Sequence, residues 1–332
     1  MRPCSLIVVY LISPTVTIRQ AEGDAAEIGN DPPVNDPHYR LQEPYLEFAG
    51  VPAAWRRMAS APVVRRKVTV ALVDTGVEPD HPDLVGNLIE GYNVIRNTTK
   101  TADKHGHGTL MAGVLGATTN NSIGIAGVTD LINIMPVCLE ETFTEETEAN
   151  GIDYAIRNKN AKGIRIILMA ISGFNRKQKV QEKIKQAVAA GMLVIVTAGN
   201  GGEDITRNKK YPCALTKRLP GMLCVAATEN TEMKLASFSN YADYVDIAAP
   251  GAAVATTLLP MRYGSCYGTS PASAIIAGVA AMLYSFNPYL SPVAVERIIK
   301  DTSRQGIKRT PKDTLKFGLV DADAAVAKLL SR

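Results

Sequence analysis

Three short segments of the chain carry side chains that together could open a carbonyl group. Val73-Asp74-Thr75-Gly76 supplies a carboxylate, His105-Gly106-His107-Gly108-Thr109 an imidazole, and Gly268-Thr269-Ser270-Pro271 a hydroxyl. A serine hydroxyl is a weak nucleophile. It needs a base within hydrogen-bond reach, and that base needs an acceptor to hold its tautomer. A fourth segment, Thr197-Ala198-Gly199-Asn200-Gly201, offers a side-chain amide that can donate to an oxygen on which negative charge develops. Taken singly, each segment has an ordinary explanation as a turn or a helix cap. Taken together, they supply nucleophile, base, orienting acid and oxyanion donor.

These groups must be positioned by regular elements. β-Branched runs at residues 68–73, 132–137, 164–171, 193–197 and 223–227 alternate with helical apolar spacing at 145–159 and 177–190. Gly163 and Gly191 stand where the chain has to turn back. That alternation predicts an α/β fold, a mostly parallel twisted sheet with helices on both faces. In such sheets reactive groups collect at the carboxyl ends of strands, and Asp74 and Asn200 each follow a predicted strand there.

The order Asp, His, Ser and the residues around each resemble the subtilisin family, or subtilases, from about Asn35 to the end of the chain. The resemblance implies a serine endopeptidase acting through an acyl-enzyme. Asp74 would orient His107, His107 would be general base and then general acid, and Ser270 would attack the scissile carbonyl, capping its helix with Pro271 at the first helical position. Asn200 and the Ser270 backbone N–H would form the oxyanion hole. Substrate would lie along Ala170, Ile171, Ser172 and Gly173, where Ser172 replaces a usual glycine. The resemblance also implies a structural calcium ion (Ca2+). Its ligands would be the carbonyls of Thr119, Ile123 and Ile125, the Asn121 side chain and the Asp83 carboxylate, with Gln42 as a further ligand from the N-terminal arm. Pro271, Leu110, Ala274 and Ile275 depart from the family pattern, which usually has Met, His, Pro and His there. His105 receives no role.

Composition sets the remaining bounds. With 332 residues, 46% of them hydrophobic, the chain can bury a full core. A net charge of +4 from scattered residues gives no footprint for nucleic acid. No apolar run approaches the roughly 18 residues of a membrane span, so no membrane partner is expected; a monomer is expected, and the resemblance implies protein or peptide substrates. Residues 1–20 read as a secretory signal, 21–34 as a short acidic pro-segment or linker, and 35–332 as the catalytic domain, which implies an extracellular enzyme. Four cysteines then remain, and of their three pairings Cys213–Cys224, closing a short turn-rich loop, is expected. Asp74-Thr75-Gly76 also suggests an aspartic protease, but Asp301-Thr302-Ser303 lacks the second glycine such an enzyme needs. A non-catalytic binding protein on the same scaffold is the other alternative, opposed by the complete set of reactive groups.

Overall fold

The computed structural model describes residues 9–11 and 32–331. The signal expected at 1–20 lies outside the described residues except for 9–11, and the acidic segment expected at 21–34 lies outside them up to residue 31.

Residues 9–11 form β1 (Val9–Leu11), and the N-terminal arm adds helices α1 (Tyr39–Phe48) and α2 (Val51–Ser60). The sheet then begins. Strands β2 (Val68–Asp74), β3 (Tyr92–Asn93), β4 (Ile132–Cys138), β5 (Ile164–Met169), β6 (Leu193–Thr197), β7 (Met222–Thr228) and β8 (Ile247–Pro250) make one seven-stranded sheet in the order β3-β4-β2-β5-β6-β7-β8. Every neighbouring pair is parallel. Helices α3 (His107–Gly116), α4 (Glu145–Lys162) and α5 (Gln178–Ala189) fall between the strands. An antiparallel hairpin of β9 (Val254–Leu258) and β10 (Arg262–Cys266) leads into α6 (Thr269–Phe286), and β1 pairs with the outer edge of β10. Helix α7 (Pro292–Asp301), the short hairpin β11 (Lys308–Thr310) and β12 (Asp313–Thr314), and α8 (Ala322–Leu330) complete the chain.

Strand residues alternate between two cores, as pleating requires. Val70, Leu72, Ile166, Leu168 and Ile195 face the core that holds α6, whereas Ala71, Val73, Ile167, Met169 and Val194 face the core that holds α4 and α5. Covering on both faces explains why the strands read as unbroken apolar runs. Helix α4 starts at a reciprocal capping box between Thr144 and Thr147 and stops at Gly163, in the left-handed region at φ 64°. Helix α6 is the described helix long and apolar enough to span a membrane, yet 94% of it is buried inside the protein. Its apolarity therefore serves the core, which surrounds it on all sides.

Two sequence expectations change. The run expected as strand to residue 171 leaves the ladder after Met169, and Gly173 instead exchanges both backbone hydrogen bonds with Tyr211, at 2.9 and 2.7 Å. The β9–β10 hairpin was not foreseen, because Thr256, Thr257, Arg262 and Ser265 blur its apolar pattern. The Cys213–Cys224 disulfide is present as expected, with Cα atoms 5.1 Å apart. A crosslink closing so short a loop is worth about 2–3 kcal/mol by restricting the unfolded chain.

Candidate active site

Asp74 is the last residue of β2 and is fully buried, and His107 opens α3. Their contact depends on glycine: a Cβ at Gly108 would lie 2.0 Å from the Gly76 carbonyl, so only glycine lets the helix approach the turn after β2. Thr75 Oγ1 accepts from the Gly108 N–H at 2.9 Å and ties the two segments together. His107 Nδ1 then meets Asp74 Oδ1 at 2.6 Å, and the same oxygen accepts from the Thr75 N–H at 2.8 Å. Burial works against a charged imidazole, but the charge and hydrogen bond of Asp74, with the further charge of Asp103, outweigh it. The His107 pKa is therefore raised.

Asp103 was missed in the sequence. Its carboxylate accepts from the N–H groups of His105, Gly106 and Thr109 and from the Thr109 hydroxyl, at 2.8–3.0 Å, and so fixes the turn that presents His107. An acidic residue just ahead of a helix start was the available signal.

Ser270 is 5% exposed and lies in the first turn of α6. It does not cap the helix as expected. The helix begins at Thr269 with Gly268 as N-cap, so Pro271 falls at the third helical position rather than the first. Proline is still tolerated there, because first-turn N–H groups have no partner within the helix. The Ser270 hydroxyl donates to the Ala170 carbonyl at 3.3 Å, which links it to the end of β5. Leu110, Ala274 and Ile275, the other departures from the family pattern, are all buried in the core around α6.

Asn200 follows β6 and is tied to Thr269, the residue before Ser270. Asn200 Oδ1 accepts from both the N–H and the hydroxyl of Thr269, each at 2.8 Å, and Thr269 Oγ1 accepts in turn from the Gly199 N–H at 3.1 Å. With Oδ1 engaged, the Nδ2 donors face Gly268, where an added Cβ would sit 3.0 Å away. Gly268 has φ 151°, a backbone that side chains rarely adopt. Thr269 was also missed, although it stands beside the serine. Ala170 and Ile171 are buried, while Ser172 and Gly173 are half-buried along the cleft.

Away from this center, Asp83 is buried under the loop at residues 119–125. Burial raises its pKa to about 6, against hydrogen bonds from the Ile125 N–H at 2.9 Å and Asn121 Nδ2 at 2.9 Å. Positive φ at Asn120, Ser122 and Gly124 winds the loop tightly around it. Gln42 is not part of this cluster: its amide pairs with both the N–H and the carbonyl of Ala126. The arm contributes Asp36 instead, whose carboxylate accepts from the N–H groups of Asn120 and Asn121 and adds its charge to that of Asp83. Among the described residues no three acidic, His or Cys side chains gather at one point. A cation here would thus rely on backbone carbonyls beside the two carboxylates, a donor set that suits calcium. Asn121 Oδ1 accepts from the Ile123 N–H at 2.8 Å and would have to turn to become a ligand.

A family model described as the subtilase family matches residues 65–320. The chain belongs to the subtilase family. It is a serine endopeptidase, as its relatives are. Thermitase from Thermoactinomyces vulgaris is 33% identical over 254 residues, which cover 76% of this chain and 85% of thermitase. The major intracellular serine protease of Bacillus subtilis is 32% identical over 231 residues, covering 67% and 69% of the two chains. Among solved structures, a protease from Pseudoalteromonas arctica PAMC 21717 superposes on this subtilase with a TM-score of 0.78 at 28% identity, over 90% of this chain and 100% of that one.

Proposed function

We propose that this subtilase cleaves proteins with Ser270 as nucleophile, His107 as base and then acid, Asp74 as orienting carboxylate, and Asn200 with the Ser270 N–H as oxyanion donors. The observation that carries this reading is the 2.6 Å contact between His107 Nδ1 and buried Asp74, which leaves Nε2 as the atom able to take a proton. A peptide pairing alongside Ala170–Gly173 takes the Ala170 carbonyl as its own acceptor. That displaces the Ser270 hydroxyl, which turns to His107. Oγ attacks the scissile carbonyl as its proton passes to Nε2, and the new oxyanion accepts from Asn200 Nδ2 and the Ser270 N–H. His107 returns the proton to the leaving amine, and water repeats the sequence to release the acyl group. A fluorophosphonate probe should label Ser270 alone, and label mapped to another serine would reject the assignment.

The pH profile should carry the mark of Asp74. Only neutral His107 can accept a proton, so kcat/KM should rise with pH through an acid limb set by a pKa above the ordinary 6.5. In Asp74→Asn the raising influences are lost, so that limb should move to lower pH while the maximum falls by roughly 10⁴. A limb that stays in place would show that Asp74 does not act on His107.

We also propose that the enzyme is exported, on the strength of the apolar N-terminal run, and that calcium stiffens it. The ion would be held by Asp83, Asp36, Asn121 and the carbonyls of Thr119, Ile123 and Ile125, where it offsets two neighbouring carboxylates. Because it binds only the folded chain, calcium at 100 times its dissociation constant should add about 2.7 kcal/mol. EDTA should lower the melting temperature, and Asp83→Ala should remove that sensitivity. Identical melting curves in EDTA and in millimolar calcium would rule the ion out.

A further inference from the structure

We propose that Leu259, Pro260 and Met261, the tip of the β9–β10 hairpin, form an apolar ledge beside His107 that receives the leaving part of the substrate, so that this subtilase prefers a large apolar side chain within the three residues after the scissile bond. The inference rests on the proposed roles of Ser270 and His107, and adds a substrate class to them.

The path of the leaving part follows from the proposed chemistry. The acyl part of the substrate lies along Ala170–Gly173, beyond the end of β5, and the oxyanion faces Asn200, beyond the end of β6. His107 hands its proton to the leaving amine, so the chain after the scissile bond passes on the His107 side, away from both strands. Next to His107 stands Gly106, left-handed at φ 100° and bare of any side chain. A Cβ built on Gly106 would meet the Leu259 side chain at 3.7 and 3.9 Å and, its chain neighbours apart, no other described residue within 4 Å. The space beside the base is therefore bounded by the hairpin tip.

The tip presents apolar side chains where a turn ordinarily would not. Leu258 pairs with Arg262, which leaves Leu259, Pro260 and Met261 as a three-residue loop. The last residue of such a loop takes the left-handed region, and Met261 does so at φ 46°. Glycine or asparagine suits that backbone; methionine there is strained, and strain of this kind collects at functional sites. Turns also favour polar residues and glycine, yet three apolar residues follow one another here. Met261 is 53% exposed, and Pro260 is exposed as well. The charged groups at the tip are engaged by the loop backbone. Glu78 Oε2 accepts from the Met261 N–H at 2.8 Å, and the Arg262 guanidinium donates to the Leu259 carbonyl at 2.8 and 3.2 Å. The Glu78 N–H donates in turn to Thr109 Oγ1 at 3.0 Å, which ties the loop to the first turn of α3, the helix that carries His107. A leaving segment that lies against this ledge trades water for contact with Leu259 and Met261, and an apolar side chain gains most from the exchange.

The test is a set of quenched peptides identical except for Leu or Asn at the first, second or third residue after the scissile bond, with the cut confirmed by mass spectrometry and fluorophosphonate labelling run in parallel. Leu and Asn have nearly the same shape, so their ratio in kcat/KM isolates the apolar contact. That ratio should reach about fivefold at one or more of the three positions, the scale of taking roughly half of a leucine side chain out of water. Met261→Asn keeps a residue suited to the left-handed turn and should lower the ratio, and adding Leu259→Asn should bring it to about one. Met261→Lys should raise the rate with Glu relative to Lys at the same position severalfold over the parent. Ratios are the readout, so a general loss of rate does not mimic the effect. A labelled, active enzyme whose Leu-to-Asn ratio is about one at all three positions, or whose ratio survives both substitutions, overturns the proposal. Failure to label Ser270 at all overturns the underlying reading as well.

Discussion

Ser270→Ala and His107→Ala should each lower turnover by about 10⁶, the scale found for the corresponding pair in subtilisin itself. The two effects should not multiply. Nucleophile and base act as one unit, so once either is gone the other has nothing to do, and the double variant should be about as slow as each single one. What remains should come from substrate alignment along Ala170–Gly173 and from the donors around Asn200. The variants should differ in stability. Ser270→Ala removes one hydroxyl and its 3.3 Å bond to the Ala170 carbonyl, a small loss in a helix that stays buried. His107→Ala takes the imidazole donor from buried Asp74 and leaves its carboxylate with the Thr75 N–H, and a carboxylate so poorly compensated out of water is costly. Ser270→Ala is therefore the cleaner experiment, expected to melt close to the parent while losing activity and fluorophosphonate label together. Turnover within tenfold of the parent in a folded Ser270→Ala protein would remove the serine from the mechanism.

Some of this was legible in the sequence and some was not, and the division has a physical basis. Asp74, His107 and Asn200 could be found because each is joined in sequence to the element that carries it. A strand end holds Asp74, a glycine-flanked helix start holds His107, and a strand-to-turn exit holds Asn200. The parallel sheet was legible for the same reason, since burial on both faces writes unbroken apolar runs. Residues whose partners are distant in sequence were not. Thr269 matters through Asn200, 69 residues away, and Asp36 through the loop at Asn120, 84 residues away. The resemblance implied Gln42 as the ligand from that arm, but only packing shows its amide already paired with Ala126.

Thr269 also sharpens what to expect of Asn200. Asn200→Ala should lower kcat by about 10² to 10³ with KM little changed, because its donor acts on charge that exists only in the transition state. Asn200→Leu should do the same, since it fills the space but cannot donate. The amide has a second task at its other end, where Oδ1 accepts two bonds from Thr269 in the turn that begins α6. Thr269→Val keeps the shape and the backbone N–H but loses the hydroxyl that bonds to Asn200. It should leave the donor present yet less firmly aimed, and so lower kcat by less than Asn200→Ala, again with KM held. Asn200→Asp tests the sign. It retains an acceptor for Thr269 but sets a carboxylate against the developing oxyanion, so it should stabilise the turn and still be at least as slow as Asn200→Ala. If Asn200→Ala and Asn200→Leu raised KM and left kcat intact, the side chain would be binding substrate in its ground state, and the oxyanion would have to be held by the Ser270 N–H and some other donor.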